Sequence, residues 1–520
     1  MRIIKPLEHK AATKNGIKRL VFIGLSIIAQ LALLVLFFTG LNKYASWAGI
    51  FTRILAALLV LSIYAKHKTS AMKMPWIIFI LVFPVAGILF YLLAGHMGST
   101  KKMAARYKAF DETVFPELFK LSAPAEAFSK MEPHSALLSK YIEKYAGVPV
   151  YENTAVEYYP DASLGRDAQI EAIKGAEHFV FMEYHAIEDS EGWALFEEAL
   201  KDCVKRGVEV RVFYDDIGSI FYVNDSFVKK LEGFGIRCRV FNPMKPFFNV
   251  FFNNRDHRKI TVIDGHTAFT GGYNIADEYF NITHPYGVWK DTGIKVTGNA
   301  VQSFTAMFLE MWNAVSDRDT DDKDLSIYLK PQEGVKGTTG LVQPYGDTPI
   351  DDEQVGEEVY ISLINRATDY IYFITPYLII TDEMIHALSL AAKRGVDVRI
   401  ITPGIPDKKL VYSLTRSFYN ALARHGVRIY EWTPGFCHAK MCVSDDLIAT
   451  VGTINLDYRS LYHHFENGCL IYDCGCISDI KADFMHTMEE SREVTERYLT
   501  GRTQWLRLGQ MFLRLFAELL

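Results

Sequence analysis

H-A-K-M-C-V-S-D, residues 438–445, has a twin in H-R-K-I-T-V-I-D, residues 257–264. Both read His-x-Lys-x4-Asp. Six residues further on, each copy reaches a small-residue turn and an Asn: Gly271, Gly272 and Asn274 in one, Gly452, Thr453 and Asn455 in the other. A single His-x-Lys arises by chance on many strands. Two copies with matched tails point to an internal repeat that carries chemistry.

In a β-strand, positions i and i+2 share a face. His257 and Lys259 are therefore expected to point one way, as are His438 and Lys440. Residues 260–263 and 441–444 suit a buried strand. Asp264 and Asp445 fall where each strand should turn.

The repeat extends outward. K-R-G-V-E-V-R-V from Lys205 is echoed by K-R-G-V-D-V-R-I from Lys393. The pattern predicts a helix over 167–176, a strand over 178–185, a helix over 192–206 and a strand over 208–214. The second half predicts a strand over 370–375, a helix over 383–394 and a strand over 396–402. Strand–helix–strand alternation with Gly closing each helix indicates α/β units. Two such halves about a pseudo-twofold axis, each a mixed sheet flanked by helices, would bring the motif strands face to face.

One site would then hold two imidazoles, two ammonium groups, two Asn amides and backbone N–H groups. That inventory fits a tetrahedral phosphate. One His can attack phosphorus, and the other can protonate the leaving alcohol and deprotonate the incoming one. Lysines supply the charge neutralisation, so neither metal nor cofactor is expected. A working His is normally held in one tautomer by a carboxylate. Asp291, in G-V-W-K-D-T, and Glu466, in H-H-F-E-N, are the candidates. Asn274 and Asn455 are candidate substrate ligands. Asp264 and Asp445 either join the catalytic set or fix their loops by accepting backbone N–H groups.

With these residues in view the chain resembles the phospholipase D superfamily, and within it the bacterial cardiolipin synthases. The carrying residues are N-R-D-H-R-K-I-T-V-I-D-G, G-G-Y-N-I-A-D-E-Y and W-K-D-T in the first half. In the second they are T-P-Y, H-A-K-M-C-V-S-D, G-T-I-N-L-D-Y-R-S and F-E-N. The resemblance implies one active site from both motifs, His257 as nucleophile through a phosphohistidine, and His438 as acid/base; the residues themselves do not order the two. It implies transfer of a phosphatidyl group between two phosphatidylglycerol molecules, giving cardiolipin and glycerol. The alternative is a phospholipase D-type hydrolase, or a transferase using another alcohol. Asp256, Thr453 and His464 stand where the family usually has Asn, Ser and Asn.

The composition narrows the partners. A formal net charge of −5 over 520 residues lacks the basic excess of a nucleic-acid channel. Seven Cys in a long chain read as buried thiols in a reducing compartment, not as a disulfide framework. Residues 20–39 form an uncharged apolar run long enough to span a bilayer, after a basic stretch. Residues 47–65, which contain Arg53, and 75–94 are further candidates. The expected organisation is a membrane anchor over 1–100 with two or three transmembrane helices, a connector over 101–145, a first half over 146–335 and a second over 336–520. The expected location is the bacterial plasma membrane with the catalytic part in the cytoplasm. Residues 317–324 read as a solvated acidic linker. The tail, 502–520, reads as an amphipathic helix lying either in a bilayer interface or against the body.

Overall fold

A computed structural model describes residues 16–22, 24–26, 28–29, 32–33, 35–36, 39–40, 46–66, 69–94, 101–123, 126–224, 226–243, 254–315, 322, 324–331, 335, 338–500 and 505–519. Two mixed sheets form its centre. The first contains β1 (Thr154–Tyr159), β2 (Phe179–Tyr184), β3 (Glu209–Asp215), β4 (Arg237–Phe241), β5 (Lys259–Ile263), β6 (Thr267–Gly271) and β7 (Gly293–Gly298). Their order is β1-β7-β6-β5-β2-β3-β4. The second contains β8 (Leu341–Asp347), β9 (Tyr370–Ile374), β10 (Asp397–Pro403), β11 (Arg428–Trp432), β12 (Met441–Ser444), β13 (Ile448–Gly452) and β14 (His464–Tyr472), in the order β8-β14-β13-β12-β9-β10-β11, with Ser491–Glu493 added beyond β11. Adding seven to each label of the first sheet gives the second, so the repeat in sequence is a repeat in topology.

Each half joins parallel strands through a helix, as a parallel pair requires. Glu191–Lys205 links β2 to β3 and buries Trp193, Phe196, Leu200 and Cys203 on one face. It ends at Gly207, whose φ of +86° is the left-handed conformation that stops a helix. Asp382–Lys393 repeats the arrangement and ends at Gly395, φ +98°. Both helices and their strands fall within a residue or two of the expected spans.

The N-terminal helices differ from expectation. Helix α1 spans Ser46–Tyr64. The apolar run 75–94, expected as one span, is divided between α2 (Ser70–Val82) and α3 (Pro84–Ala94). The cause is Pro84. A residue before proline is excluded from the helical region, and Phe83 sits at φ −128°, ψ 73°. The two helices fold back on each other, with Trp76 against Tyr91 (5.4 Å between ring centroids) and Phe79 against Phe90 (5.6 Å). Among the described residues no helix is long and apolar enough to cross a membrane. The expected span over 20–39 lies partly outside them.

Helix α4 (Lys101–Phe119), in the expected connector, packs on α5 (Val301–Val315). Arg106 Nε donates to the Ala314 carbonyl at 2.7 Å, and Tyr107 OH to Glu310 at 2.8 Å. Helix α5 is buried on almost every side and touches strands of both sheets, and among its buried polar side chains Glu310 is partnered by Tyr107 OH and Gln302 by the Gly265 carbonyl. In the acidic stretch 317–324, Asp322 is not solvated as expected. Its carboxylate takes two bonds from the buried Arg211 guanidinium, at 2.6 and 2.8 Å. Residues 317–321 and 323 lie outside the described residues.

The tail packs against the body, one of the two placements expected. Helix α7 (Leu508–Leu515) rests on α6 (Lys409–Ala423), with Arg514 Nε bonded to Ser417 Oγ at 3.1 Å. Its other face leaves Leu508 and Phe512 exposed.

Candidate active site between the two halves

The two motifs meet through a pair of strand exchanges. Arg255–Asp256 pairs in parallel with His464–Phe465 of the other half. Gly435–Cys437 pairs in parallel with Val288–Lys290. Each exchange carries one motif His just past its end on one strand and one carboxylate just past its end on the other. His257 N–H bonds the Phe465 carbonyl at 2.9 Å, and His438 N–H the Lys290 carbonyl at 2.7 Å. The two His therefore lie ahead of β5 and β12, not within them, because their backbones are bonded across the boundary. The shared-strand expectation for His257 with Lys259, and for His438 with Lys440, is corrected to that extent.

The side chains follow the exchange. His257 Nδ1 lies 2.9 Å from Glu466 Oε2, and His438 Nδ1 lies 2.7 Å from Asp291 Oδ2. Each imidazole is thus held by a carboxylate from the opposite half. With Nδ1–H donating to oxygen, Nε2 keeps the lone pair. Thr453 Oγ1 also donates to Glu466 Oε2. Lys259 Nζ bonds the His257 carbonyl at 2.6 Å. Lys440 Nζ lies 2.9 Å from His438 Nε2 and also bonds the His438 carbonyl.

Burial sets the electrostatics. It pushes His257 well below the usual imidazole range, with the Lys259 and Lys440 charges adding to the effect. It pushes His438 down to about 3, with Lys440 beside it. Burial also lowers Lys259 to about 7, opposed by Glu466 and reinforced by Lys440. Lys440 is brought to about 8 by burial, against Asp291 and Glu466. Burial pushes the Asp291 carboxyl up, but His438, the hydrogen bond between them and Lys440 outweigh it and hold the carboxyl below its ordinary range. Two buried lysines and two buried imidazoles, all with lowered pKa values, make a setting that favours an anion between them.

The other expected site residues fall outside this core or on its edge. Asn274 is engaged with protein, its Oδ1 accepting from Ala186 N–H at 3.1 Å and its Nδ2 donating to Tyr279 OH at 2.8 Å. Asn455 is buried, and its Oδ1 makes no hydrogen bond among the described residues. Asp264 and Asp445 sit past the far ends of β5 and β12. Asp264 accepts the backbone N–H groups of Glu177, His178 and Phe179, each at 2.8 Å. Asp445 does the same for Thr368, Asp369 and Tyr370 at 2.8–3.0 Å. Both have φ of +54°. They fix loops, the second of the two roles expected, and the catalytic placement is corrected.

Sequence reading missed an asymmetry. Trp289 pairs with Phe436 in one exchange, and Arg255 with His464 in the other. The surroundings of His438 are therefore aromatic: Tyr279 and Trp289 lie 5.3 Å from it and Phe436 5.8 Å, centroid to centroid. The surroundings of His257 are polar, with His185 at 5.0 Å and His464 at 5.4 Å. The signal was present: Trp289 and Phe436 each stand two residues before Asp291 and His438, on the same strand face. Ring nitrogens of His257 and His464 and a Glu466 oxygen lie within 4.8 Å of one another, a spacing that a metal ion could use. Arg459, which reaches His464 Nε2 at 3.4 Å, and Lys259 place positive charge beside that point and oppose a cation.

The family model described as cardiolipin synthase, PLD-like domain matches residues 170–312 and 360–488, the stretches that bear both motifs. The chain belongs to this family. It is, with that family, a phosphatidyltransferase of the phospholipase D superfamily. A second model, phospholipase D-nuclease N-terminal, matches residues 54–96. Cardiolipin synthase of Halalkalibacterium halodurans is 31% identical over 88% of this chain and 91% of its own length. Cardiolipin synthase 1 of Staphylococcus aureus is 30% identical over 91% of this chain and 96% of its own. The solved phosphatidylserine synthase of Haemophilus influenzae shares the fold, with a TM-score of 0.55 and 15% identity, covering 74% of this chain and 98% of that one.

Proposed function

We propose that the chain is a membrane-held cardiolipin synthase that transfers a phosphatidyl group from one phosphatidylglycerol to another. The observation that carries this reading is the pair of buried imidazoles, each bound through Nδ1 to a carboxylate of the opposite half. His257 Nε2 attacks the donor phosphorus. The P–N bond forms as the P–O bond to glycerol breaks, and His438, which takes up a proton from solvent as the phosphodiester anion binds and offsets the Lys440 charge, gives the departing oxygen that proton. His438 Nε2 then takes a proton from a hydroxyl of the second phosphatidylglycerol. That oxygen attacks phosphorus, the P–N bond breaks, and cardiolipin leaves with His257 restored. Lys259 and Lys440 hold the non-bridging oxygens. Asn455, whose Oδ1 makes no hydrogen bond among the described residues, is a candidate acceptor for a substrate hydroxyl. No step draws on a metal.

The exposed apolar side chains of α1, among them Trp47, Ile50, Ile54 and Leu58, support a lipid contact for the N-terminal helices. Holding enzyme and both lipids at one surface raises their effective concentration. We assign the catalytic part to the cytoplasmic face of the plasma membrane, in keeping with its free thiols.

The test is the full-length protein in mixed micelles of phosphatidylglycerol without added metal, with H257A and H438A beside it. Cardiolipin and glycerol should appear together and vanish in both variants. Phosphatidic acid without cardiolipin would make the protein a hydrolase and overturn the reading.

A further inference from the structure

Beside the aromatic surroundings of His438 stands a group of polar side chains: Glu278, Tyr286 and Asp407. The carboxylate of Glu278, half-buried beside Tyr279, accepts one hydrogen bond among the described residues, from Tyr222 OH at 3.2 Å. Burial raises its carboxyl to about 7. Asp407, from the other half, is near enough to add to that rise and takes a bond from Tyr377 OH at 2.5 Å. Tyr286, whose ring lies 6.3 Å from Trp289, is also close enough to feel both carboxylates. Trp289 is 5% exposed, and its indole N–H has no hydrogen-bond partner among the described residues.

We propose that this wall is the alcohol subsite of the reaction, and that Glu278 and Tyr286 make it specific for a polyol head group, a glycerol moiety, over simple alcohols and water. The inference rests on the phosphatidyl-transfer reading. Three physical points carry it. An in-line displacement puts nucleophile and alcohol on opposite sides of phosphorus, and the two sides of this site differ as that division of labour requires. The C–H groups of a polyol pack on aromatic faces such as Tyr279 and Trp289. Its adjacent hydroxyls need a carboxylate acceptor and a hydroxyl partner, which Glu278 and Tyr286 offer. The group-transfer step is unchanged: the bound hydroxyl gives its proton to His438 Nε2, its oxygen bonds phosphorus, and the P–N bond to His257 breaks. Glu278 and Tyr286 are specificity residues and take no part in the bond changes.

The experiment uses the full-length protein in phosphatidylglycerol micelles with deuterated glycerol and ethanol as competing acceptors. Mass spectrometry follows deuterated phosphatidylglycerol, phosphatidylethanol and cardiolipin. The wild type should favour glycerol mole for mole. Glu278→Ala should lower the glycerol-to-ethanol preference about tenfold, and Tyr286→Phe should lower it in the same direction. A preference unchanged in both variants, whatever their total rates, overturns the assignment. Exchange products without cardiolipin in the wild type would sink the cardiolipin reading alone and leave the preference measurement intact.

Discussion

Glu466 Oε2 meets His257 Nδ1 at 2.9 Å across the boundary between the halves. Asp291 and His438 make the reciprocal bond at 2.7 Å. Neither half holds its own imidazole, so a separated half lacks an oriented base. Glu466→Gln and Asp291→Asn should each lower kcat by about 10²–10⁴ with a small change in KM, since the amide cannot stabilise an imidazolium or enforce the same tautomer. Steady-state cardiolipin synthesis by each variant checks this. A KM effect without a kcat effect would place the carboxylates in substrate binding instead.

The lysine pair should set the alkaline limb of kcat/KM. Lys259 at about 7 and Lys440 at about 8 lie below the ordinary ammonium value. A depressed folded pKa means that the charge is present below it and lost as pH rises through it. Affinity for the lipid phosphate should therefore fall between about pH 7 and 8. Lys259→Arg, which cannot deprotonate in this range, should move the limb toward the Lys440 value. A pH–rate profile at low substrate reads it directly.

Gly272 is a steric requirement of the His438 pair. A Cβ there would stand 2.1 Å from Asp291 Oδ1 and 3.1 Å from the His438 carbonyl. Gly272→Ala should push Asp291 off His438 and lower kcat about as far as Asp291→Asn does. The double variant should be far from additive, because both changes break one contact. Additive losses would show that the glycine serves another purpose.

Asp264 should matter for stability and little for chemistry. Asp264→Asn weakens a carboxylate that accepts three backbone N–H groups. The expected cost is about 1–3 kcal/mol of folding stability. Thermal unfolding should register it, while kcat per folded molecule stays close to wild type. A large kcat loss at an unchanged Tm would return Asp264 to the catalytic set.

The repeat, the α/β units and the core of the site were legible in the sequence because they are local or duplicated. Hydrophobic period, a glycine closing each helix and two matched His-x-Lys stretches needed no knowledge of distant contacts. Asp291 and Glu466 could be named as carboxylates for the same reason. Which imidazole each one holds could not be read, since the strand exchanges at Arg255–Asp256 and Gly435–Cys437 join segments far apart in the chain. The aromatic setting of His438 came from the same exchange, through Trp289 opposite Phe436. The break at Pro84 was local and readable, but hydropathy averaged it away. Asp322 looked solvated until folding brought Arg211 to it. Local pattern fixed what the elements are, while the pairing of distant backbone edges decided which side chains meet, because such pairing leaves no period in either segment.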